Sequence, residues 1–161
     1  MDAKQVAEEL AQPGARALLE QPLLRLAYNG LDGLPRVVPV GFLWTRGRIV
    51  VCTATTSPKA RALAARPEVA VTIDTGETPG DARSLLIRGK AELETVDGVP
   101  EEFIAMSAKG LPPEQVPLFE ENVRRMYPQM VRISIVPAWA RFYDFGAGRV
   151  PRFLMDLAAN A

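Results

Sequence analysis

Short runs of alternating apolar and polar residues, punctuated by glycine and proline, dominate this chain. LLRLAYN (Leu23 to Asn29) alternates and predicts a strand. Gly30-Leu31-Asp32-Gly33 predicts a hairpin turn. PRVVPVGFLWT (Pro35 to Thr45) predicts a second strand, Arg46-Gly47 the next turn, and RIVVCTA (Arg48 to Ala54) a third strand. Three antiparallel strands in close succession suggest a meander. Ahead of them, residues 4–20 carry an apolar stripe through Val6, Leu10, Leu18 and Leu19, which predicts a helix broken at Pro13-Gly14.

The pattern then changes period. Ser57 stands at an N-cap position, Pro58 at the first helical position, and Pro67 ends a helix over Ser57 to Arg66. EVAVTID (Glu68 to Asp74) predicts a fourth strand, and Gly76 to Asp81 a polar loop. RSLLIRGKAELETV (Arg83 to Val96) is long for one strand, and Gly89 marks a bulge or bend within it. Pro100 to Lys109 and Pro113 to Tyr127 predict two amphipathic helices that bury Phe103, Ile104, Met106, Val116, Phe119, Val123 and Met126. MVRISIVPAWARFYDF (Met130 to Phe145) predicts a last strand bent at Pro137, followed by a tail that closes as a short helix. Six or so strands arriving as hairpins, with about four helices, predict a mostly β fold: a closed or nearly closed antiparallel barrel with helices outside it. One domain is expected over 1–161, with an N-terminal helix (1–20), a helical insertion (98–127) and a C-terminal tail (146–161). No glycine-rich dinucleotide fingerprint and no phosphate-cradling P-loop occurs.

Composition narrows the chemistry. The 161 residues have zero formal net charge and no block of like charge, which argues against nucleic acid or a membrane surface as the main partner. No apolar run approaches membrane-spanning length, and MDAKQVAEEL does not read as a signal peptide, so a cytoplasmic protein is expected. Cys52 is the single cysteine and lies in an apolar strand, where an inert buried thiol is expected. Asp74 and Asp81 flank a loop without other ligand types, so no metal site is expected. Histidine is absent, which removes Ser–His and Cys–His catalysis and the usual zinc and haem ligands. Chemistry falls to Arg, Lys, Tyr, Ser, Thr and carboxylates, or to a bound organic cofactor.

The segment CTATTSPKARAL is the richest in candidates. Acidic side chains usually enrich the first turn of a helix, yet Lys59 and Arg61 sit there. Lysine is scarce, four against 15 arginines, and Lys59 is one of the four. A bound phosphate would explain cations at the positive end of a helix. A capped surface helix with solvated cations explains them as well.

These segments together resemble the pyridoxamine 5′-phosphate oxidase-like family, the flavin-binding split barrels. RVVPVGF (Arg36 to Phe42) resembles the family's second strand, which lies along the flavin and its phosphate. CTATTSPKARAL resembles the strand-to-helix segment that holds the phosphate. RSLLIRGKAEL resembles the strand that reaches the ring from the partner subunit, and ARFYDFGAGRVPRF the C-terminal segment that closes over cofactor and substrate. The resemblance implies a homodimer with cofactor sites at the subunit interface, FMN or coenzyme F-420 as cofactor, and hydride transfer to or from a small-molecule substrate. It assigns the phosphate to Arg36, Ser57 and Lys59, with Arg61 as a second charge and Thr53 as the strand-end hydroxyl. The longer F-420 tail would suit Arg61 and Arg16. Val38, Pro39 and Val40 would offer backbone groups to the ring, and Ser84 falls where the vitamin oxidases use a Gln. Tyr143 and Arg149 fall at the Trp and Arg of those oxidases and become the candidate catalytic residues. The oxidases place a substrate-binding His after that Arg; here Val150-Pro151 follows, so oxidation of pyridoxamine phosphate itself is not expected. The alternative is a non-catalytic flavin-binding or ligand-sequestering protein of the same fold.

Overall fold

The computed structural model describes residues 1–160; Ala161, the last residue of the expected tail, lies outside the described residues. The predicted N-terminal helix is two helices, α1 (Ala3–Leu10) and α2 (Pro13–Leu19), because Pro13 interrupts the first and opens the second. Then follow β1 (Leu23–Asn29), β2 (Pro35–Gly41), β3 (Leu43–Thr45), β4 (Arg48–Ala54), α3 (Pro58–Ala65), β5 (Glu68–Thr75) and β6 (Arg83–Asp97). Helices α4 (Glu101–Ala108) and α5 (Val116–Met126), β7 (Gln129–Asp144) and α6 (Arg152–Ala159) complete the chain.

All strands join one antiparallel sheet of seven, ordered β2-β1-β5-β6-β7-β4-β3. The expected meander does not form. Its second strand splits at Phe42: β2 pairs with β1, and β3 pairs with β4, at opposite ends of the sheet. The barrel is therefore split and not closed by hydrogen bonds; only the chain at Phe42 joins its edges. Phe42 is wholly buried, and Val38, Val40 and Trp44 pack on the same core, so the alternation persists through the break. Arg46 and Gly47, at φ 50° and 74°, make the two-residue turn between β3 and β4.

Two cores result. The larger lies inside the barrel, where Leu24, Leu26, Val71, Ile73, Leu85, Ile87, Ile133 and Ile135 meet Leu18, Leu19 and Leu63 of the helices. The smaller lies where Val50, Cys52 and Met130 meet Ile104, Met106 and Val123 of α4 and α5. Burial pushes the Cys52 thiol pKa up to about 12, the Glu102 charge adds to this, and Arg132 opposes it. Arg132 ties the helical cover to the sheet, reaching Glu94 on β6 at 2.9 Å and Glu102 on α4 at 3.1 Å.

The long β6–β7 ladder bends where the sequence places Gly89. Arg88 pairs with Trp139 and Gly89 with Pro137, which leaves Ala138 as the extra residue of a bulge. A Cβ on Gly89 would fall on the Val136 carbonyl oxygen. Gly89→Ala is therefore expected to destabilise the fold by about 1–3 kcal/mol, as overpacking against rigid backbone does. Urea unfolding measures it, and a midpoint equal to that of the wild type would contradict the close approach.

Candidate functional site

The β1–β2 turn and the start of α3 are held side by side. Arg66, just past α3, donates through Nη1 to the carbonyls of Gly30 at 2.5 Å and Leu31 at 2.9 Å. That staple sets Arg36, on β2, beside the first turn of α3. Arg36, Arg61, Pro58 and Tyr28 line one hollow of about 280 Å³. Arg36 already has a counter-charge there: Asp32 Oδ2 lies 2.7 Å from its Nη2. The Leu34 N–H and the Arg36 guanidinium hold the Asp32 carboxyl below the usual carboxylate range, against weak desolvation.

The α3 start is less satisfied. Ser57 has the extended backbone of an N-cap, but its side chain makes no capping hydrogen bond, so the expected side-chain cap is not made. Pro58 has no N–H, and the amides of Ala60 and Arg61 both donate to the Ser57 carbonyl. The amide of Lys59 has no partner among the described residues. Lys59 is half-buried, and no carboxylate lies within ion-pair distance of it among the described residues. Burial lowers its pKa from the ordinary 10.5. A half-buried ammonium and a free amide at one helix start are donors of the kind that stabilise an anion. Thr53 stands at the end of β4, on the barrel-core alternation of Val51 and two residues before the loop into α3.

The other candidates lie elsewhere. Successive side chains of a strand take opposite faces of the sheet. Val38 and Val40 share the core face with Leu24 and Leu26, to which they are paired. Pro39 lies on the opposite face, in a cross-strand row with Arg25, Thr72, Leu86 and Arg141. Ser84 and Tyr143 are direct partners on that same outer face. Within one chain the structure thus separates the α3 cations from Ser84 and Tyr143. Arg16 lines a different, apolar groove with Trp44 and Leu10, away from the Arg61 hollow.

Arg149 is committed to structure. Its Nε donates to the Phe142 carbonyl at 2.7 Å, and its Nη2 lies 2.6 Å from both carboxylate oxygens of Glu9. Glu9, on α1 and only 8% exposed, also accepts from the Phe142 N–H at 2.8 Å and from Arg141 at 3.1 Å. Burial pushes the Glu9 carboxyl up, but the Phe142 and Arg149 hydrogen bonds and the two arginine charges outweigh it, and the net direction is down. The sequence reading missed Asp32, Arg66 and Glu9. The spacing of Asp32 four residues before Arg36 was a visible signal for the first; the partners of Glu9 are more than 130 residues away and leave none.

This architecture defines a split barrel of the flavin-binding type. Residues 11–142 match the family model for pyridoxamine 5′-phosphate oxidase, and the chain belongs to that family. No functionally curated protein matches the sequence. Among solved structures, the protein Rv2991 of Mycobacterium tuberculosis is 22% identical with a TM-score of 0.65, over 94% of this chain and 89% of that one. A structure described as an F420 reductase is 25% identical with a TM-score of 0.62, over 78% and 94% of the two chains. The haem storage protein HutZ of Vibrio cholerae shares the fold at 16% identity, with a TM-score of 0.58 over 80% and 92%. No helix among the described residues is long and apolar enough to cross a membrane.

The lowered Glu9 pKa fixes the sign of a pH effect. Stability from this carboxylate is in place above its ordinary pKa of 4.5 and is lost as pH falls through the lower folded value. Glu9→Gln is expected to cost about 1–3 kcal/mol near neutral pH. The gap to wild type should narrow below pH 4.5 in urea titrations at several pH values. A gap independent of pH would contradict the ion cluster.

Proposed function

We propose that this protein is an oxidoreductase that uses FMN or coenzyme F-420, bound by its phosphate at the start of α3, at an interface between two copies of the chain. The half-buried Lys59 with no carboxylate partner carries this reading. A phosphate there would receive the Lys59 ammonium and amide, the unused Ser57 hydroxyl, and Arg61 from the adjoining hollow. Arg36 would join them by exchanging Asp32 for the phosphate. When bound, such a ring supplies hydride chemistry without a protein histidine. The chain's own part is to hold the phosphate, orient the ring along the edge strand β2 around Val38, Pro39 and Val40, and exclude water. The similarity to an F420 reductase supports the cofactor class.

The two faces of the sheet support the second copy. Ser84 and Tyr143 sit on the face opposite the core, so their side chains would meet a cofactor on α3 only if another chain presents them. That face carries Val37 and Leu23, 66% and 55% exposed, and the row Val37–Ala27–Ala70–Arg88–Trp139 has no buried member. Arg88 lies over the Trp139 ring at 4.4 Å and keeps a cation on the face. A second copy laid there would cover the apolar members of the row.

Two measurements test this. Lys59→Ala should weaken FMN or F-420 at least about ten-fold while changing riboflavin binding little, since only the phosphate contact is lost. Equal losses, or no binding of either cofactor by the wild type, would overturn the phosphate assignment. Sedimentation should give a dimer at micromolar concentration; a monomer that still binds cofactor would overturn the interfacial site.

A further inference from the structure

A second basic hollow lies between the end of β7 and α6, with a volume of about 490 Å³. Arg141, Arg149, Arg152, Tyr143 and Asp156 supply its polar wall, and Val150 and Met155 its apolar wall. The charges there do not balance. Arg152 and Asp156 pair with each other at 3.9 Å. Among the described residues Glu9 alone pairs with Arg141 and Arg149, at 3.1 and 2.6 Å. One carboxylate neutralises one guanidinium, so a single positive charge is left over at a partly enclosed place. Arg149 is spent on Glu9 and the Phe142 carbonyl. Arg141 uses one nitrogen, is 42% exposed in its side chain, and keeps its other N–H groups without a partner among the described residues. The Tyr143 hydroxyl has no hydrogen-bond partner among the described residues either, and it lines the same hollow. Above these donors, α6 buries none of its residues, and Met155 is 55% exposed.

We propose that this hollow binds an organic carboxylate with an apolar body. The carboxylate takes hydrogen bonds from Arg141 and Tyr143, and the body lies against Val150 and Met155. One residual positive charge matches a monoanion; a phosphate dianion would leave negative charge in excess beside Glu9 and Asp156. The apolar wall selects against a bare inorganic ion. In the oxidoreductase such a molecule is the substrate class, and in that role the proposal rests on the functional reading above, since Arg141 and Tyr143 share the outer face assigned to the second copy; its test uses the full chain with no cofactor added, so that binding of the acid is read separately from binding of the cofactor.

The test is an NMR titration that follows the methyl signals of Val150 and Met155. The probes are benzoate, 3-phenylpropionate and octanoate, each beside its neutral amide. At least one acid should shift these signals saturably, and its amide should not. Arg141→Gln should weaken that acid at least about ten-fold, the loss of one charge-assisted hydrogen bond, and Arg141→Lys should restore part of it. Glu9 keeps Arg149 and the Phe142 N–H in both variants, so the fold has its clamp. Absence of a shift with all three acids, equal binding of acid and amide, or unchanged affinity in Arg141→Gln would overturn the proposal. Should Arg141→Gln not fold, the comparison of acid with amide decides.

Discussion

Phe42 carries the chain from one edge of the sheet to the other in a single residue. β2 and β3 on either side of it are neighbours in sequence but the two most distant strands in the hydrogen-bonded order. Phe42 is wholly buried at that crossing, and full burial of a phenylalanine is worth about 2–3 kcal/mol. The placement of the candidate site follows. Arg36 rides on β2, at one edge, and α3 hangs from β4, near the other. They become neighbours because the sheet curls until Phe42 can bridge it, and because Arg66 then fastens α3 to the β1–β2 turn. Lys109 Nζ sits 4.7 Å from the Phe42 ring centre and 3.4 Å from the Gln21 carbonyl, so the helical insertion is moored to the same crossing.

The second organising fact is the division of each strand between two faces. Even-numbered residues of β1 and odd-numbered residues of β5 and β6 fill the barrel, while their neighbours face outward as a row with little cover. The residues that the family pattern groups around one cofactor are split by this alternation. Those near α3 are on the core side, and Ser84 and Tyr143 are on the other.

Most of the fold was legible because its signals are local. The alternation of β1, the Arg46-Gly47 turn, the Gly89 bulge and the proline boundaries of α2 and α3 each follow from a few adjacent residues. The split at Phe42 was not legible, since Pro35 to Thr45 alternates without interruption and only tertiary pairing divides it. The candidate site shows the same contrast. Cations at a helix start can be read from Ser57-Pro58-Lys59-Ala60-Arg61, but their state cannot: the lack of a carboxylate near Lys59 and the presence of Asp32 at Arg36 are facts of three-dimensional neighbourhood. Arg149 reads in sequence as a free functional arginine, and its engagement by Glu9 appears only once α1 lies across the end of β7.

The buried Cys52 has a practical consequence. It is the chain's single thiol, it lies beneath α4 and α5, and at a pKa of about 12 it is almost entirely un-ionised in neutral water. An alkylating reagent therefore meets it only when the helical cover lifts away or the whole molecule opens. The protein carries a built-in clock for its own breathing. The rate at which Cys52 is labelled counts openings of the cover over β4, without any probe having to be engineered into the chain.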